Sequence, residues 1–114
     1  MDYILLNRDD LALDGTSREF EGYKYGDTGI TFILVEMKPG RGPKLHQHPY
    51  EEVFIVLEGQ ATYTVGTGTV EVTAGQVVIV PKDTPHKFIN SGTGILKQVD
   101  IHHNNKFITT WLED

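Results

Sequence analysis

In HQHPYEEVF, residues 46–54, two histidines stand two positions apart and two adjacent carboxylates follow them. Side chains alternate across an extended chain, so His46 and His48 project to one side and can grip a single ion, while Gln47 points away. Continued alternation gives Glu52 the parity of the histidines and turns Glu51 outward. Pro49 bends the chain between them, so parity supplies only a lean toward Glu52. Glu51 reads as a solvated acid, the alternative being an acceptor for the remaining N–H of a ligating histidine. A third histidine, His86, follows a turn stiffened by Pro81 and Pro85 and is expected to complete the site from across the barrel. Imidazoles with a carboxylate suit a divalent transition metal, Mn, Fe, Ni, Cu or Zn. They suit Ca or Mg poorly, because those ions prefer all-oxygen shells. The chain has no cysteine, which excludes disulfides, thiolate ligands and Cys nucleophiles.

The elements that must position these groups are short β-rich runs bounded by Gly, Pro, Asn or Asp. They fall at residues 3–7, 30–37, 52–58, 61–65, 69–74, 77–81, 86–90, 95–101 and 107–112. This pattern predicts an all-β sandwich or barrel. ATYTVGTGTVEVTA reads as a hairpin turning at Gly66-Thr67-Gly68, with Ala61, Tyr63 and Val65 in register against Val70, Val72 and Ala74. VFIVL and VVIV are apolar at successive positions, so both faces of those strands are expected to be covered, one by the barrel interior and the other by a second layer or a partner subunit. The polar segment 8–29 reads as loop with one or two short extended pieces.

At 114 residues the chain has the size of one domain, expected to span residues 1–114. A net charge of -6 and the lack of a dense Lys or Arg run argue against nucleic-acid binding. No stretch is long and apolar enough for a membrane span, and the N-terminus lacks the basic and apolar regions of a signal peptide. A cytoplasmic location is expected.

Taken together, the motifs resemble those of the cupin superfamily, specifically its small single-domain members. The first cupin motif, G-x5-HxH-x3-E-x6-G, is matched across residues 40–59 by Gly40, His46, His48, Glu52 and Gly59. The second, G-x5-PxG-x2-H-x3-N, is matched across residues 75–90 by Gly75, Pro81, His86 and Asn90, with Asp83 where the motif has its glycine. Asp tolerates the turn conformations of Gly, so this departure touches turn geometry and not the ligands. The resemblance implies a jelly-roll β-barrel, a double-stranded β-helix, in which His46, His48, Glu52 and His86 bind one metal. It also implies open coordination positions for water or substrate, as a Lewis-acid or O2-binding centre needs.

Phe54, Tyr63 and Phe88 are candidates for a substrate pocket, with core packing as the commoner fate of aromatics; Phe88 shares the strand parity of His86. Gln98 and Asp100 share one face of their strand, and the pattern leaves open which face points inward. Arg41, with Lys38 and Lys44, forms a basic loop ahead of the first motif that would draw an anionic compound. His102 and His103 match neither motif and read as a solvated pair. The expectation is a metal-dependent enzyme, oxygenase or isomerase-like, acting on a small, anionic organic compound. The alternative is a non-catalytic metal or small-ligand-binding module. The two-sided apolar strands and the FITTWL segment add an expected homodimer.

Overall fold

The computed structural model describes residues 2–114; Met1, the first residue of the expected domain, lies outside the described residues. Two antiparallel sheets face each other. One holds, in spatial order, β1 (Ala12–Asp14), β2 (Ser17–Glu21), β3 (Thr31–Met37), β10 (Leu96–His102), β5 (Glu52–Glu58) and β8 (Val77–Val80). The other holds β11 (Thr110–Trp111), β4 (His46–Gln47), β9 (His86–Asn90), β6 (Gln60–Val65) and β7 (Gly68–Thr73). This nearly all-β arrangement is the expected jelly-roll barrel.

Strand alternation decides what fills the barrel. Every second residue of β10 is buried, namely Leu96, Gln98, Asp100 and His102, and β5 buries Glu52, Phe54 and Val56 in the same way. The two strands pair with His102 opposite Glu52 and Asp100 opposite Phe54. The interior therefore grades from polar at the Glu52 end to apolar at Val56 and Leu96, where Val35, Ala61, Tyr63 and Val72 join the core. Tyr63 donates to Gln98 Oε1 at 2.7 Å, and Gln98 Nε2 donates to Asp100 Oδ1 at 2.7 Å. This polar chain settles the inward face of β10 and satisfies groups that would be costly to bury alone.

Two motif positions show why their residue types matter. Gly59 turns β5 into β6 at φ 89°, and a Cβ there would stand 2.9 Å from the Ile95 carbonyl oxygen. Asp83, in the glycine position of the second motif, adopts the left-handed conformation at φ 57°. Its N–H donates to the His48 carbonyl at 2.7 Å, tying the two motif loops together.

The structure departs from expectation at several elements. Residues 3–7 form no paired strand, and Tyr3, Ile4 and Leu5 are exposed. Segment 8–29 holds the two short extended pieces expected, β1 and β2, and adds two 3-10 turns, Arg8–Asp10 and Gly22–Lys24. The hairpin pairs Ala61 with Val72 and Tyr63 with Val70, but it turns one residue tighter, Val65 facing Gly68, so Ala74 lies beyond the ladder. Of residues 107–112 only Thr110 and Trp111 pair. Among the described residues nothing covers the outer face of β5 and β8, where Leu57, Val77 and Ile79 are exposed. Among the described residues no helix is long and apolar enough to cross a membrane.

Candidate metal centre

The fold brings His46, His48, Glu52 and His86 together. Their candidate ligand atoms lie within 4.8 Å of one another, and all four residues are buried. His46 sits on β4, paired with His86 of β9 on one side and Trp111 of β11 on the other. Glu52 is the first residue of β5 and reaches the cluster from the opposing sheet. Its Oε1 is 3.0 Å from His48 Nε2 and 3.1 Å from His86 Nε2. The motif spacing thus corresponds to two sheets meeting at one polar end of the barrel.

Backbone carbonyls fix the proton on the far side of each imidazole. His46 Nδ1 lies 2.6 Å from the Lys44 oxygen, His48 Nδ1 2.9 Å from the Ile108 oxygen, and His86 Nδ1 2.8 Å from the Thr84 oxygen. A carbonyl only accepts, so each Nδ1 carries hydrogen and each Nε2 is left with its lone pair. Two such lone pairs against a carboxylate oxygen need positive charge between them, either a shared proton or a metal ion. His48 Nε2 is buried without a well-aligned hydrogen bond. Three imidazole nitrogens and one carboxylate oxygen therefore fit a divalent transition metal, by donor chemistry and by this unsatisfied atom.

The electrostatics favour the ligating forms. Burial pushes the His46 imidazole down to about 4, against a smaller opposing effect of the Lys44 carbonyl, so the ring is neutral at ordinary pH. Burial pushes Glu52 upward, but the imidazoles of His102, His48 and His86 more than reverse this and hold the carboxyl well below its usual range.

His102 corrects the reading of a solvated pair. It is buried, and its Nε2 lies 3.2 Å from Glu52 Oε2, the oxygen turned away from His48 and His86. The Tyr50 hydroxyl lies 2.7 Å from His102 Nδ1 and accepts the Ile108 N–H at 3.3 Å. Because His48 Nδ1 already carries hydrogen, the Tyr50 hydroxyl donates to His102 Nδ1, which leaves the His102 proton on Nε2 beside Glu52. Tyr50 also stacks on His48, ring centroids 5.0 Å apart. Only His103 is exposed, 3.2 Å from the exposed Glu51, so Glu51 faces outward and touches no ligand. Tyr50→Phe and His102→Gln are each expected to lower divalent-metal affinity by about 10–100-fold. Calorimetric titration checks this, with His103→Ala as the variant that changes nothing.

A cavity of about 290 Å³ opens on the cluster. His46, His48, Glu52 and His102 line its polar end, and Ile33, Val35, Phe54, Phe88, Phe107 and Trp111 supply apolar and aromatic wall. Of the expected pocket residues, Phe54 and Phe88 line it. Tyr63 and Gln98 stand behind it and reach it through Asp100, which is part of the lining. Arg41 lies outside, on an exposed groove with Glu36 and Lys38. The lining contains no Lys or Arg and, besides Glu52, three further acids: Asp14, Glu19 and Asp100. Burial and the Glu52 charge raise the Asp100 carboxyl well above its usual range.

Burial, together with contact and charge from Asp14, pushes Glu19 up to about 7. The folded chain then holds this proton more tightly than the unfolded one, whose carboxyl titrates near 4.5. The resulting contribution to stability is full below that value and is lost as pH rises through about 7. Glu19→Gln is expected to raise Tm relative to the parent at pH 8 by more than at pH 5, read by thermal melts at both.

A model of the family described as cupin domain matches residues 33–102, from β3 through β10. The HTH-type transcriptional regulator PuuR of Escherichia coli is 27% identical over 109 residues, 91% of this chain and 58% of the regulator. Polyketide synthase CurC of Streptomyces cyaneus is 37% identical over 68 residues, 59% of this chain and 44% of the synthase. The chain spans about half the length of these curated relatives. Among solved structures, oxalate decarboxylase OxdC of Bacillus subtilis superposes with a TM-score of 0.76 at 25% identity, over 84% of this chain and 27% of that one. A formate complex of the Lactobacillus farciminis oxalate decarboxylase gives a TM-score of 0.79 at 23% identity, over 91% and 34% of the respective chains. One structure of the Bacillus subtilis enzyme, also at a TM-score of 0.76 and 25% identity over 84% of this chain and 27% of that one, concerns its Mn(II) centres. All of these superpositions cover the barrel described above.

Proposed function

The chain belongs to the cupin domain family, and from that premise we propose that it holds one divalent transition metal through His46, His48, Glu52 and His86 and acts on a small organic compound in the adjoining cavity. The chemistry is of the oxygenase or isomerase-like kind. The observation that carries this reading is the convergence of the His48 and His86 Nε2 lone pairs on one carboxylate oxygen, with a His46 nitrogen within 4.8 Å of the same group and each Nδ1 committed to a carbonyl. When bound, such an ion supplies Lewis acidity toward a carbonyl or carboxyl oxygen, or redox chemistry with O2.

The chain's own residues do the rest. His46, His48 and His86 present neutral nitrogens, and Glu52 supplies the single negative charge among the ligands. His102 Nε2 faces the far oxygen of Glu52 at 3.2 Å, and the Tyr50 hydroxyl orients that imidazole from Nδ1 at 2.7 Å. Phe54 and Phe88 make the floor of the chamber apolar, which strengthens every charge interaction within it. The test is turnover by the metal-loaded chain over a panel of small carbonyl, carboxyl and amine compounds, followed by mass spectrometry and O2 uptake. Turnover lost in His46→Ala and His86→Ala supports the reading, and turnover that survives both overturns it.

A second reading, a non-catalytic ligand-binding module, is favoured by the match to a transcriptional regulator over 91% of the chain. Its outcome in the same experiment is saturable binding with no product. On either reading the ligand is a small molecule and the chain is cytoplasmic, and the net charge of -6 weighs against binding to nucleic acid or an anionic membrane surface. We further propose a homodimer that covers the exposed face of Leu57, Val77 and Ile79. Sedimentation at micromolar concentration is expected to give twice the chain mass, and a monomer there contradicts it.

A further inference from the structure

The charge of the cavity lining runs against that expected of a site for an anion. Besides the metal-binding Glu52 it presents Asp14, Glu19 and Asp100, and no basic side chain. Asp14 and Glu19 come from the paired edge strands: Glu19 lies opposite Ala12, and Asp14 opposite Ser17. Glu19 and Asp100 flank Ile33 from either side in one transverse row, Glu19 and Asp100 both being in register with it. Two strand spacings, about 10 Å, separate their backbones. The acids therefore form one band across the inner face of the sheet.

None of these three carboxyls has a cationic partner among the described residues. The chain places its cations elsewhere: Arg8 pairs with Glu36, Arg18 with Asp9, Lys24 with Glu21 and Lys97 with Glu58. Arg18, the immediate neighbour of Glu19, faces the opposite way and donates to the Leu11 carbonyl at 2.9 Å. Asp100 is only 3% exposed, lines the cavity and receives a single neutral donor, Gln98 Nε2, on Oδ1. A carboxyl so deeply buried without a cation is costly as an anion, and a positive ligand removes that cost. The wall beside the acids is hydrocarbon and aromatic, from Ile33, Val35, Phe107 and Trp111. Aromatic faces attract ammonium groups as well as alkyl chains.

We propose that the cavity accepts a small alkylammonium compound, its positive end against the Asp14, Glu19 and Asp100 band and its hydrocarbon body against Ile33, Val35 and Phe107. The inference rests on the cavity being the ligand chamber of the metal centre, and it sets the ligand class of this chain apart from the dicarboxylate in the names of its structural neighbours. A carboxylate entering this band meets acids and no basic side chain, whereas an ammonium pairs with the same acids as anions.

The experiment is calorimetric titration of the full chain, metal-free and Zn2+-loaded, with n-hexylammonium and with hexanoate. These probes share a hydrocarbon chain and differ in the sign of the head group. The expected result in the metal-free chain is tighter binding of n-hexylammonium by about tenfold or more. That preference is expected to be lost in the Asp14→Asn/Glu19→Gln double variant, with Zn2+ affinity changed by less than about threefold. Equal or tighter binding of hexanoate by the metal-free chain overturns the proposal, as does ammonium affinity that survives the double variant or no binding of n-hexylammonium at all. The Zn2+ titration reports separately on the metal centre, so failure of the ammonium site and failure of the metal reading give different results.

Discussion

Glu52→Gln is expected to lower divalent-metal affinity by more than about a hundredfold, a larger loss than removal of an outer hydrogen-bond partner brings. The substitution keeps the size of the side chain and removes the only anion from the donor set. It also replaces an oxygen 3.0 Å from His48 Nε2 and 3.1 Å from His86 Nε2 by an amide that orients only one acceptor. The loss is therefore in charge rather than in packing, and circular dichroism is expected to show an intact barrel. Titration with Mn2+ and Zn2+ checks the prediction. Affinity within about tenfold of the parent would mean that the carboxylate is not a ligand and that the cluster is held by imidazoles alone.

Phe54→Ala is expected to destabilise the chain by about 3–5 kcal/mol, a large part of the stability of any domain of this size. Phe54 is 1% exposed and meets Tyr63 edge-to-face at 5.1 Å, with Phe88 and His86 each 5.9 Å away. It is thus the contact between the apolar core and the metal end of the barrel. Truncation leaves a cavity where the polar grading of the interior begins, and water admitted there reaches His86. A fall in Tm of more than about 12 °C is the expected readout. A change of about 2 °C or less would show that the neighbouring rings close the gap.

The cluster of His46, His48, Glu52 and His86 was legible because three constraints coincide on few residues. Parity pairs His46 with His48, and the spacing to the turn glycine Gly59 selects Glu52. The proline-stiffened turn then brings in His86, on the strand beside His46 and not from across the barrel. Gly59 and Asp83 both adopt positive φ, so even the departure from the second motif has a backbone reason. His102 was not legible, since no motif position marks it and it closes a strand expected to stop one residue earlier. The signal was nonetheless present: His102 continues the parity of Gln98 and Asp100, and once Gln98 is bonded to Tyr63 that face is inward.

The N-terminal strands were legible only as short extended pieces of a polar segment, for a different reason. β1 and β2 form the edge of the sheet, with Asp14 and Glu19 turned toward the cavity, so their composition is that of a loop. Composition misled in the opposite direction at residues 3–7, an apolar run with no neighbouring strand to pair with. The basic loop was expected to serve the pocket, but Arg41 lines an exposed groove and not the cavity.

The central claim is that this barrel end exists to hold a metal, and elemental analysis of the chain purified without an affinity tag tests it most directly. About one equivalent of Mn, Fe, Ni, Cu or Zn per chain is expected, reduced to background in His46→Ala/His86→Ala. Protein that is purified without metal, and takes up none on dialysis against Mn2+, Fe2+ or Zn2+, would contradict it.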